Sequence, residues 1–78
     1  MPKYNGHKNW NHWNVSLWIG NDEQLYRRAM HAIRSTGTLD AAARWLMQDL
    51  ADSHAGTATP DGAPYTFTTV RAALRGLK

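Results

Sequence analysis

Seventy-eight residues leave room for a single small domain spanning 1–78, since domains run to roughly 100–200 residues. Cysteine is absent, which excludes disulfides, Cys-based zinc sites, iron–sulfur clusters and thiol chemistry. Nine Lys and Arg against six Asp and Glu give a net charge of +3, an excess that admits nucleic acid or an acidic protein surface as partner without requiring either.

The amino-terminal stretch, residues 1–10, reads as a basic, aromatic arm: all six acids lie beyond residue 20, and Lys3, Lys8, His7 and His12 precede them. Four tryptophans are a heavy load for so short a chain. Each ring can bury ~150–250 Å², so they are expected to fill the core in place of disulfides. No apolar h-region follows Met1, and no run of ~18 apolar residues occurs, so neither a signal peptide nor a membrane span is expected.

From Trp10 onward, the spacing of Trp13 and Leu17 predicts a short helix, capped by Asn11 and stopped at Gly20-Asn21. The alternation of Trp13, Val15, Leu17 and Ile19 with Asn14, Ser16 and Trp18 fits a strand as well, which would make the fold α+β. A second helix is predicted from a cap at Asn21, with Asp22 and Glu23 in its first turn and Leu25, Tyr26, Ala29, Met30 and Ile33 on its apolar face. Arg27, Arg28 and Arg34 follow, and Gly37 is expected as a left-handed stop. Thr38 opens a third helix with a stripe of Leu39, Ala42, Ala43, Leu46 and Leu50, flanked by Trp45 and Met47. The Gly/Pro/Thr cluster of 53–64 is a loop, with a turn at Pro60-Asp61-Gly62, and is expected to be the most mobile part of the chain. Tyr65 to Thr69 is β-prone lead-in. A last helix, capped by Thr68 or Thr69, then buries Val70, Ala73, Leu74 and Leu77 and turns Arg71, Arg75 and Lys78 outward.

Chemistry is sparse. His7, His12, His31 and His54 show no metal-ligand spacing, and Ser16, Ser35 and Ser53 lack a nucleophile-elbow context. Asp49 and Asp52 are spaced as a carboxylate pair but read as a polar face near a helix end, where acids oppose the dipole. The Ser35–Thr38 connection superficially suggests a helix-turn-helix, yet the would-be recognition helix carries Arg44 against Asp40, Asp49 and Asp52, the wrong charge for a major groove. No metal, no cofactor and no catalytic residue is therefore expected. Candidate binding residues are Arg71, Arg75, Lys78, Arg27 and Arg28 as phosphate or carboxylate contacts, with Trp10 and Tyr4 as aromatic contacts left over from the core.

The stretch from Tyr4 to Tyr26, YNGHKNWNHWNVSLWIGNDEQLY, resembles a family of small uncharacterised proteins of phages, prophages and their hosts. Their amino-terminal halves read approximately Y-N-G-x-x-N-x-x-T-W-x-V-x-L-W-[IL]-x-N-D-E-x-x-Y. Tyr4, Asn5, Gly6, Asn9, Trp13, Val15, Leu17, Trp18, Asn21, Asp22, Glu23 and Tyr26 sit on that pattern, about a third of the chain, while His12 stands where the family usually has Thr. The Thr59–Gly62 segment, T-P-D-G, also recurs in relatives. The resemblance implies a scaffold role for these positions, with Trp13, Leu17 and Trp18 in the core, and a small accessory gene of a mobile element. Such genes often encode host-defence inhibitors, including anti-CRISPR and anti-restriction proteins. The reading is thus an all-α bundle of about four short helices, non-enzymatic, in the host cytoplasm, that binds a host protein such as a defence component. The alternative is a small basic nucleic-acid-binding module; homodimerisation is open, and no membrane partner is expected.

Overall fold

A computed structural model describes residues 7–53 and 56–77. Four helices follow in order: α1 Trp10–Asn21, α2 Glu23–Ser35, α3 Leu39–Ala51 and α4 Phe67–Leu77. The first element is a helix, so the fold is all-α. The helices pack as a ring in which α1 meets α2, α2 meets α3, α3 meets α4 and α4 returns to α1, while α2 and α4 touch across the diagonal. No described helix is long and apolar enough to cross a membrane.

Each helix starts on a side-chain cap, one to three residues from where the pattern alone puts three of them. Asn9, rather than Asn11, caps α1 by accepting from the His12 N–H, so Trp10 belongs to the helix and not to the arm. Asp22, rather than Asn21, caps α2 through the Leu25 N–H at 3.0 Å, with Glu23 placed against the dipole. Thr38 caps α3 as expected. At α4 the Thr66 hydroxyl accepts from the Thr69 N–H while the Thr69 hydroxyl accepts from the Thr66 N–H, at 3.1 and 2.9 Å. This reciprocal pair does the work of a capping box and replaces the expected Thr68 or Thr69 cap. Gly37 is not left-handed; α2 stops at Thr36, whose extended backbone and hydroxyl bond to the Ala32 carbonyl close the last turn.

The core is small and built for close approach. Val15, Ile19, Leu46, Leu50, Val70 and Leu74 are its fully buried large side chains, and Ala29, Ala32, Ala42, Ala43 and Ala73 let the helices come together. None of the four tryptophans is in it. Trp10 and Trp45 are 38% and 37% exposed, Trp13 is half-buried, and Trp18 packs against the core from its rim. Leu17 is 37% and Tyr26 41% exposed, so the expectation that Trp13, Leu17 and Trp18 fill the core is corrected, as is the placing of Tyr26 on the apolar face of α2. The inward face of α1 is Asn14, Val15 and Ile19 instead.

An asparagine can sit there because a distant loop satisfies it. Segment 56–66 folds back through an antiparallel bridge between Ala58 and Pro64, and Gly62 supplies the positive φ of its turn, 96°, which glycine tolerates without strain. The turn aims Asp61 and Thr59 at α1. One Asp61 carboxylate oxygen accepts from the Asn14 amide and from the Trp18 indole N–H, both at 2.9 Å, while the Thr59 hydroxyl donates to the Asn14 carbonyl at 2.5 Å. These two donors, Asn14 first, hold the Asp61 carboxyl below the usual carboxylate range. The loop expected to be the most mobile stretch is, between Thr59 and Gly62, fastened to the bundle.

Candidate functional site

α2 buries Leu25, Ala29 and Ala32. At about 100° per residue, Tyr26, Met30, Arg27, His31 and Arg34 fall outside that stripe and face away from the core. α3 buries Ala42, Ala43, Leu46 and Leu50, and the same rotation turns Arg44 and Trp45 outward. Because α2 and α3 are neighbours, the two outward faces merge. The His31 and Trp45 rings meet with centroids 5.0 Å apart, tilted by 51°, and the Ser35 hydroxyl lies 3.3 Å from His31 Nε2. Tyr26, Arg27, Met30, His31 and Arg34 line a shallow concavity of about 370 Å³. No carboxylate is among its lining residues. The nearest, Glu23, pairs with Arg27 at 2.6 Å, but both side chains are about three-quarters exposed, so that pair contributes little and exchanges readily.

The residues expected to bind do not assemble into one patch. Arg71 pairs with Asp40 at 2.5 Å and Arg28 with Asp49 at 2.6 Å, which fixes them toward opposite ends of α3, about 14 Å apart along its axis at 1.5 Å per residue. Arg27 joins the α2–α3 face, and Arg75 is exposed near the end of α4. Trp10 sits at the start of α1, where Trp13 and Leu17 continue its side of the helix at i+3 and i+7. Tyr4 and Lys78, with Asn5, Gly6 and His54, lie outside the described residues. Of the motif positions, Asn9 and Asp22 are caps, Val15 is core, Trp18 bonds Asp61, Glu23 pairs with Arg27, and Asn21 and Tyr26 are exposed. The acids that opposed the dipole of α3 are accounted for: Asp49 answers Arg28, and Asp52 takes the Gln48 amide.

A second groove, about 400 Å³, lies between the α1–α2 corner and the loop, with Trp18, Asp22, Arg28, Pro60 and Tyr65 among its walls. Its charged groups are engaged, Asp22 as a cap and Arg28 in its ion pair. Burial, aided by Asp22, pushes the Tyr65 hydroxyl up from its ordinary value and keeps it neutral. In the first turn of α1, burial first and then the charges of Lys8 and His7 lower the His12 imidazole. Among the described residues no cluster of three His, Asp or Glu is placed to hold a metal ion. The α2–α3 face therefore stands out, and only Arg27 of its members was singled out from sequence as a binding residue. The available signal was angular: Trp45 and Met30 lie more than about 90° from the mean direction of their helix's apolar stripe.

A family model described as a family of unknown function, DUF7249, matches residues 1–75, and the chain belongs to that family. It matches no curated protein and no solved structure.

Proposed function

We propose that this protein is a non-enzymatic binding module that recognises a protein partner through the outer face of α2 and α3. One observation carries the reading: Tyr26 and Trp45, 41% and 37% exposed, are withheld from a core that is short of large side chains and are set beside Met30, His31, Arg27 and Arg34. Trp, Tyr, Met and Arg are the residues enriched at the energetic centres of protein interfaces, and Lys, Glu and Asp are depleted there. Rigid aromatic side chains also lose little conformational freedom on docking. The resemblance to small phage and prophage proteins supports a finer reading, in which the partner is a host protein met in the host cytoplasm, within a defence system such as CRISPR or restriction.

Affinity capture from host lysate tests this with the wild type and a Tyr26→Ala/Trp45→Ala variant side by side. The proposal expects a stoichiometric protein retained by the first and lost by the second; a protein retained equally by both overturns it. A second reading, nucleic-acid binding, draws on the net charge and on Arg34 and Arg75, which have no ion pair among the described residues. Against it, Arg28 and Arg71 spend their charge on Asp49 and Asp40. A mobility shift that falls steeply with salt would favour it.

A further inference from the structure

Resting on that reading, we propose that the α2–α3 face takes an acidic segment of its partner, with one apolar side chain of that segment seated in the concavity between Tyr26 and Arg34. Charge complementarity identifies the occupant. Arg27 and Arg34 line the concavity itself, whereas Arg44 turns toward α4, its guanidinium 5.4 Å from the centre of the Phe67 ring. No carboxylate lines the concavity: Asp49 pairs with Arg28 and Asp40 with Arg71, while Asp52 accepts from the Gln48 amide and Asp22 caps α2. Among the described residues Glu23 alone answers a cation of the face, in an exposed pair that a partner carboxylate can displace at little cost. The face is thus positive, and a guanidinium matches a carboxylate with two parallel hydrogen bonds.

The seat is of mixed character, with its apolar part supplied by two side chains. Tyr26 and Met30 supply that part, and His31, in contact with the Trp45 ring and the Ser35 hydroxyl, lines it as well. Methionine adapts to whatever side chain enters. Single-stranded nucleic acid fits less well, because it needs a run of uncommitted cations tracking the backbone beside the stacking rings, and Arg28 and Arg71 are held by their own carboxylates.

Titration of the isotope-labelled full chain with three probes tests the assignment: a short synthetic peptide alternating Glu and Asp with Leu and Phe, the same peptide with Lys at every acidic position, and oligothymidylate. The expected result is saturable binding of the acidic peptide that shifts the Trp45 indole N–H and the amides of residues 26–34. Arg34→Glu, at an exposed site, should weaken it about tenfold or more, and moderate salt should weaken it in the wild type. Equal binding of the Lys peptide, binding of oligothymidylate alone at this face, shifts confined to another face, or no binding of the acidic peptide would each overturn the proposal. Failure here with a lysate partner still lost in Tyr26→Ala/Trp45→Ala would reject the acidic segment and leave the protein-binding face standing; failure of both would reject both.

Discussion

Replacing Asn14 by alanine removes the side chain on which the loop and α1 are joined. The residue is 1% exposed and Thr59 4%, so the Thr59 hydroxyl, which donates to the Asn14 carbonyl at 2.5 Å, would be left in a dry site without its acceptor. An orphaned buried polar group costs about 1–3 kcal/mol, and the space left by the amide adds to that, for a total of about 2–4 kcal/mol. A chain of this length is stable by about 4–12 kcal/mol at roughly 0.05–0.15 kcal/mol per residue, so the variant should melt about 10–30 °C lower. A double-mutant cycle with Thr59→Val isolates the pair, measured by urea unfolding with far-ultraviolet circular dichroism. Thr59→Val also strands the Ala63 N–H, bonded to that hydroxyl at 3.0 Å, but it does so in both backgrounds and cancels from the cycle. The two substitutions should couple by about 1–2 kcal/mol. Additivity within about 0.5 kcal/mol would refute the idea that the loop is held through Asn14.

The Asp61 carboxyl is held below its unfolded value by the Asn14 and Trp18 donors, so its contribution is present above the ordinary carboxylate range and is lost as pH falls through the depressed value. The wild type should therefore lose stability on acidification more steeply than Asp61→Asn, and parallel curves would count against the clamp. Tyr65 behaves oppositely: its raised value stabilises the fold below the ordinary tyrosine range, a contribution lost in strong alkali and absent from Tyr65→Phe. The two faces of α1 separate under truncation, with Ile19→Ala costing about 2–5 kcal/mol and Leu17→Ala under about 1 kcal/mol; comparable losses would restore Leu17 to the core. The Ser16 hydroxyl is buried without a hydrogen-bond partner among the described residues, so Ser16→Ala should raise stability by about 0.5–1 kcal/mol, and a loss of stability would show that the hydroxyl is satisfied.

Where one apolar stripe existed, the pattern located it: Ala42, Ala43, Leu46 and Leu50 on α3, and Val70, Ala73 and Leu74 on α4, are buried as their spacing requires. α1 misled because it is apolar all round. Trp10, Trp13, Val15, Leu17, Trp18 and Ile19 define no single direction, and the residue that decides its orientation, Asn14, has its partners 45 and 47 residues away. Periodicity cannot register a contact of that range. The turn at Pro60-Asp61-Gly62 was legible from its residue types, but its docking depends on a carboxylate meeting an indole and an amide across the fold. The basic residues were visible as a total and not as a surface, since Arg28 and Arg71 find their acids only once α2, α3 and α4 are packed.

The central claim is that Tyr26 and Trp45 serve recognition rather than stability. The most direct measurement is partner retention by Tyr26→Ala/Trp45→Ala at a urea midpoint shown to match the wild type. The account predicts a folded variant that captures no stoichiometric protein where the wild type does; a folded variant that captures the same partner in the same amount would contradict it.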